Sequence, residues 1–186
     1  LRFAYQAQAG YVLARVNRAP LGTLRALYDN ERGKAKTPLS LMYLGIALNL
    51  QGDQARGKKA VAEAFTKKDD RPWYLGDYGS SIRDEALIVM LSKRHKLVAP
   101  QADARLLALS RNLSARASQK YVWYSTQEQI ALARLGKTLA GVLDSEQVFK
   151  GQLLVGAQAT TLAPDRIDSR SYSYADLSAG VKYTLD

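Results

Sequence analysis

Apolar residues recur at helical spacing through positions 1–143 and at alternate positions near the C-terminus. Tyr5, Ala9, Val12, Leu13 and Val16 make a first stripe and predict a helix that buries them. Pro20 suits the first turn of a second helix, ending near Gly33. Thr37-Pro38 reads as an N-cap followed by proline at the first helical position. Leu39, Met42, Tyr43, Ile46, Ala47 and Leu50 then form one stripe. Gly52-Asp53 closes that helix and caps the next, so a tight helical hairpin is predicted. The returning helix has a small face of Ala55, Ala60 and Ala64 beside Phe65, which lets two helix backbones approach closely.

A longer loop runs from Lys67 to Gly79 and contains Pro72, Trp73 and Gly76. A fifth helix follows with Ile82, Ala86, Val89 and Met90 inward, and Pro100 opens a sixth with Ala102, Leu106, Leu109 and Leu113 on one face. Ser125 and Glu128 have the S-x-x-E spacing of a capping box. A seventh helix should start there, its face marked by Leu132, Leu135, Leu139 and Val142.

The odd-numbered helices are predicted to start near residues 3, 38, 80 and 126, in steps of 35, 42 and 46. A tetratricopeptide array would hold close to about 34. Leu41–Phe65 alone is similar to one such repeat, with Gly45, Gly52-Asp53 and Ala60 near the expected places. The drifting step favours hairpins joined by variable loops, the arrangement of an α/α toroid with inner and outer helices.

The pattern changes after Leu143. Val148, Gln152, Leu154 and Thr160 lie in a stretch of β-formers with interspersed glycine, and Pro164-Asp165 reads as a turn. Val181, Tyr183 and Leu185 alternate with Lys182, Thr184 and Asp186. The predicted class is mainly α, a toroid fragment over 1–143 followed by a partial β-sandwich segment over 144–186. So few strands cannot bury a sheet alone. Leu1 is not an initiator methionine and helical patterning begins at once, so the chain reads as part of a longer polypeptide.

Charge adds one asymmetry. The formal net charge is +10, yet residues 144–186 carry four basic and six acidic groups. The excess lies on the helical part, interleaved with inward-facing apolar positions, as on a solvated basic surface. Aromatics are not interleaved with Arg56, Lys58, Lys59, Lys67 and Lys68, so nucleic-acid binding is not predicted. No apolar run approaches the ~20 residues needed to cross a bilayer. The chain contains no cysteine, hence no disulfide and no thiolate nucleophile.

Candidate chemistry is sparse. His95, the one histidine, sits in Lys93-Arg94-His95-Lys96 at a predicted helix end, where a surface position is expected. Asp84 and Glu85 are adjacent and point apart on a helix; Asp84 suits the helix N-terminus three residues after Ser81. Gly76-Asp77-Tyr78-Gly79 lacks the lysine and spacing of a phosphate loop, and no cluster of metal-ligating types is visible. No catalytic, cofactor or metal residue is assigned. Trp73, Tyr74, Tyr78 and Trp123 are the candidate interface aromatics. Aromatics on loops either anchor a partner or pack across helix ends, and packing is the expectation here.

Tyr124-Ser125-Thr126-Gln127-Glu128-Gln129, the helix after it, and Trp123 before it resemble the late helix of the thioester domain of bacterial α2-macroglobulins. Gln6-Ala7-Gln8-Ala9-Gly10-Tyr11-Val12-Leu13-Ala14 and Ala19-Pro20-Leu21-Gly22-Thr23-Leu24 resemble the middle of that domain. Tyr74-Leu75-Gly76-Asp77-Tyr78-Gly79-Ser80 resembles its second half. The resemblance covers about residues 3–142, and the tail fits a return to the family's CUB-like β domain.

This resemblance implies a protease trap rather than an enzyme. In the family a protease cuts a bait region, and an exposed thioester from a Cys-x-Glu-Gln motif couples to the attacker's amines. That motif is absent from this chain, so no reactive residue is carried over, and a scaffold role around the thioester is implied. The implied partners are target proteases and the rest of a multidomain chain, with no cofactor. The implied location is the periplasm, with a lipid anchor upstream at the inner membrane. The alternatives are a tetratricopeptide-like peptide-binding module and an α/α-toroid enzyme; the carboxylate pair or acidic metal motif the latter needs is not visible.

Overall fold

The computed structural model describes residues 1–71, 79–97, 99–119, 121–146, 151–155, 158–162 and 181–185. Its helices are α1 (Arg2–Arg15), α2 (Leu21–Glu31), α3 (Pro38–Leu50), α4 (Gln54–Thr66), α5 (Ser81–Arg94), α6 (Ala99–Ala117) and α7 (Thr126–Glu146). Its strands are β1 (Gly151–Val155), β2 (Gln158–Leu162) and β3 (Val181–Leu185). Two compact units result, Leu1–Ala140 and Gly141–Asp186.

Local chemistry sets the helix boundaries. Pro38 occupies the first turn of α3, where its missing N–H costs nothing. Gly52, at φ +91°, turns the chain after α3 as an L-residue rarely can. Asp53 then caps α4 by accepting from the Arg56 amide at 3.3 Å. Arg25 donates to the same carboxylate at 2.6 Å, tying α2 to the α3–α4 turn. The α3–α4 hairpin is close because both helices carry glycine at the crossing. A Cβ on Gly45 would lie 2.9 Å from the Gly57 carbonyl oxygen, and one on Gly57 would lie 2.8 Å from that of Gly45.

Helix α3 is the centre of the first unit and packs on α1, α2, α4 and α5. The single stripe expected for it is too narrow. Leu41, Leu44 and Leu48 are buried along with Leu39, Met42, Ile46 and Ala47, whereas Leu50 is exposed. A helix apolar on every side is enclosed by neighbours.

Helix α1 corrects the sequence reading more sharply. Phe3, Ala7, Gly10, Tyr11 and Ala14 are its buried residues, while Tyr5, Ala9, Val12, Leu13 and Val16 are exposed. Both sets satisfy helical periodicity. The buried one is rich in small residues, and the space opposite Gly10 is filled by Leu24 of α2. On α4, similarly, Ala55 is exposed, and Gly57 and Val61 join Ala60 and Ala64 inside.

In the second unit β1 lies between β2 and β3, antiparallel to both. Leu153 faces Thr160 on one side and Tyr183 on the other. The expected turn at Pro164-Asp165 lies outside the described residues.

Candidate functional site

The N-terminal turns of α5 and α7 are joined. Ser80 caps α5 by accepting from the Arg83 amide at 3.1 Å. Ser125 caps α7: its Oγ accepts from the Glu128 amide at 3.3 Å, and Glu128 Oε2 accepts from the Ser125 amide at 2.8 Å. This is the reciprocal bonding of a capping box. The second carboxylate oxygen, Oε1, accepts from Ser80 Oγ at 2.7 Å. Burial alone would push the Glu128 carboxyl up, but hydrogen bonds from Ser80 and Ser125, with Arg116 nearby, hold it below the ordinary value.

Next to this link lies a buried ion cluster. Arg83 Nε donates to Asp84 Oδ1 at 2.7 Å, and Arg71 Nη2 donates to Asp84 Oδ2. Burial raises the Asp84 carboxyl, against the pull of Arg83 and Arg71. Nε and Nη1 of Arg71 are buried with no hydrogen-bond partner among the described residues. A Cβ on Gly79 would meet the guanidinium groups of Arg71 and Arg83, which would have to shift. The helix-start position expected for Asp84 holds, but its carboxylate pairs with arginines instead of capping α5. Glu85 points elsewhere and pairs with Arg105 of α6.

A cavity of about 160 Å³ opens among α1, α3, α5 and α7, with Arg83, Arg134, Gln127, Gln8, Ser40 and Tyr43 on its walls. Burial raises the Tyr43 hydroxyl to about 12, with Arg83 and Arg134 pulling down and Asp84 and Tyr11 pushing up. Tyr43 therefore stays neutral at physiological pH.

The segment Tyr124–Gln129 falls at this edge. Tyr124 is half-buried under the Arg116 guanidinium, 4.8 Å from the ring centre, and its carbonyl accepts from Gln129 Nε2 at 2.9 Å. Thr126, Gln127 and Gln129 are exposed. Trp123 is 78% exposed, which overturns the expectation that it packs across a helix end. Trp73, Tyr74 and Tyr78 lie outside the described residues. His95 is half-buried rather than on the surface. Its Nε2 lies 3.1 Å from the Tyr11 hydroxyl, and burial, with Arg94 and Arg15, lowers its pKa.

Sequence reasoning missed Ser80, Arg71, Arg83 and Arg134. Ser80 carried a readable signal as a serine just before a helix, and Arg83 adjoins Asp84 in sequence; Arg71, 13 residues before Asp84, and Arg134, on another helix, carried none. No nucleophile–base pair emerges from these contacts. Among the described residues no group of three potential metal ligands converges.

No protein-family model matches the chain. An alpha-2-macroglobulin of Xylella fastidiosa is 52% identical over 184 residues, 98% of this chain and 11% of that protein. The alpha-2-macroglobulin of Escherichia coli is 38% identical over 174 residues, 89% of this chain and 10% of that protein. The chain is homologous to bacterial alpha-2-macroglobulins. It spans about a tenth of the length of the curated relatives it matches.

Solved structures agree. A Salmonella alpha-2-macroglobulin mutant, Y1175G, superposes with a TM-score of 0.76 at 36% identity, over 98% of this chain and 11% of that one. E. coli alpha-2-macroglobulin from domain MG7 to its C-terminus gives 0.72 at 31% identity, over 98% of this chain and 25% of that one. The E. coli protein activated by porcine elastase gives 0.68 at 32% identity, over 98% of this chain and 14% of that one.

Proposed function

We propose that this chain is a scaffold segment of a bacterial alpha-2-macroglobulin-like inhibitor that traps attacking proteases and protects the cell. Residues 1–143 are the C-terminal half of an α/α-toroid thioester domain, and residues 144–186 are part of a CUB-like β domain. The homology over nearly the whole chain carries this reading. The helical hairpins support it, as does the packing of α3 on both α1 and α5.

The chain supplies no thioester of its own, because it has no cysteine. Its part is mechanical: it encloses one side of the domain and holds the helix starts in register through Ser80, Glu128 and Ser125. It is not an enzyme. The whole protein works in the periplasm, tethered by a lipid at the inner membrane.

Methylamine labelling of the full-length protein tests the assignment. The amine nitrogen bonds to the thioester carbonyl carbon, the carbon–sulfur bond breaks, and the amine proton passes to the thiolate. One methylamide and one free thiol per molecule are expected, both in a Cys-x-Glu-Gln sequence N-terminal to Leu1. Absence of both products removes the thioester reading.

A further inference from the structure

We infer that the outward stripe of α1 is the seat of a second amphipathic helix of the same polypeptide, one that lies before Leu1 and carries carboxylates along the edge of its apolar face. The inference rests on the proposed function, under which the first half of the helical domain precedes Leu1. The relatives have the chain to supply it: 98% of this chain covers only 11% of the Xylella protein.

Helix α1 is apolar on two sides. Its inward side holds Ala7, Gly10 and Ala14 with Phe3 and Tyr11, and the helix packs on α2 and α3. Tyr5, Ala9, Val12 and Val16 fall within about 60° of one another on a different side. Leu1 extends that stripe and Leu13 borders it. Leu1, Tyr5, Val12, Leu13 and Val16 are 41% to 63% exposed. Single apolar residues on a surface are ordinary, but a contiguous run of them marks an interaction site. A helix with apolar residues on both sides is normally enclosed by neighbours on both.

The stripe has the shape of a helix seat. Tyr5, Ala9 and Leu13 make one row four residues apart, and Gln8, Val12 and Val16 make the next. The groove between two such rows accepts the ridge of a crossing helix. From Leu1 to Val16 it is about 22 Å long at the helical rise of about 1.5 Å per residue. Charge sets the edge of the partner. Arg2 and Arg15 flank the stripe, and α1 contains no acidic residue. Aspartate or glutamate beside the partner's apolar face would meet these cations, as at the edges of paired helices. A second copy of α1 would bring only more cations, which argues against self-pairing.

Photocrosslinking in the full-length protein tests this. p-Benzoylphenylalanine replaces Tyr5 in one variant and Val12 in another, and the irradiated products are mapped by mass spectrometry. Both probes should mark one segment before Leu1, at sites about four to seven residues apart. That segment should carry aspartate or glutamate beside the marked residues. Val12→Cys and Val16→Cys give a second measurement without a bulky probe. Each thiol should react with a maleimide roughly ten-fold or more slower in the native protein than in denaturant.

Five results overturn the inference: products of twice the mass, marks within residues 141–186, no crosslink at all, a marked segment edged by lysine and arginine, or thiols as reactive as in denaturant. The proposed function stands or falls separately. Methylamide formation with fully reactive thiols sinks the helix seat alone, and a marked upstream helix without a methylamide sinks the thioester reading alone.

Discussion

Ser80 Oγ donates to Glu128 Oε1 over 2.7 Å, and through that one bond the start of α5 is fastened to the start of α7 across 48 residues of sequence. Glu128 is only 8% exposed and serves two caps at once. Replacing it with alanine should cost more than losing an ordinary cap. Ser125→Ala should cost about 0.5–2 kcal/mol. In a double-mutant cycle, Ser80→Ala and Glu128→Ala should couple by at least about 0.5 kcal/mol. Additive losses would show that the bond contributes nothing.

The same carboxylate gives a pH signature. Its folded pKa lies below the ordinary value of 4.5. The stabilisation it supplies is therefore complete above that value and is lost as pH falls through the folded value. Denaturant midpoints measured from neutral pH down into the acid range should fall less steeply for E128Q than for the native protein. Parallel curves would mean that Glu128 ionisation is not linked to folding.

Asp84 should be the least replaceable charge. Its side chain is 4% exposed, between two arginine side chains at 13%. Asp84→Ala removes the buried carboxylate that both guanidinium groups share, at a cost of about 3–5 kcal/mol. Equilibrium unfolding measures this loss. A loss below about 1 kcal/mol, the size of an exposed pair, would contradict the buried cluster.

Two glycines should respond oppositely to alanine. At Gly45 the new methyl meets Val61 Cγ2 at 2.8 Å and backbone at 2.9 Å, so overpacking should cost about 1–3 kcal/mol. Gly136, inside α7, has nothing within 4 Å of a built Cβ, so alanine should stabilise by roughly 0.5–1 kcal/mol. Thermal melts of the two variants should move in opposite directions.

Sequence carried the local rules well. Proline at the start of α3, the Gly52-Asp53 turn, the Ser125–Glu128 box and the alternation in β3 each depend on residues a few positions apart. The buried face of α1 failed because two stripes shared one period. Bulk favoured Tyr5, Val12 and Leu13, whereas close packing took Ala7, Gly10 and Ala14 inward. His95 failed for a related reason: its basic neighbours suggested solvent, while Tyr11, 84 residues away, draws it in. The cavity was illegible because Gln8, Ser40, Arg83 and Arg134 come from four separate helices.

Covalent capture tests the central claim most directly. The full-length protein is mixed with trypsin and boiled in detergent. If this chain belongs to a thioester trap, a band containing both proteins survives boiling, and methylamine pretreatment abolishes it. A band that forms equally well after methylamine, or no band although the protein has been cut, would contradict the account.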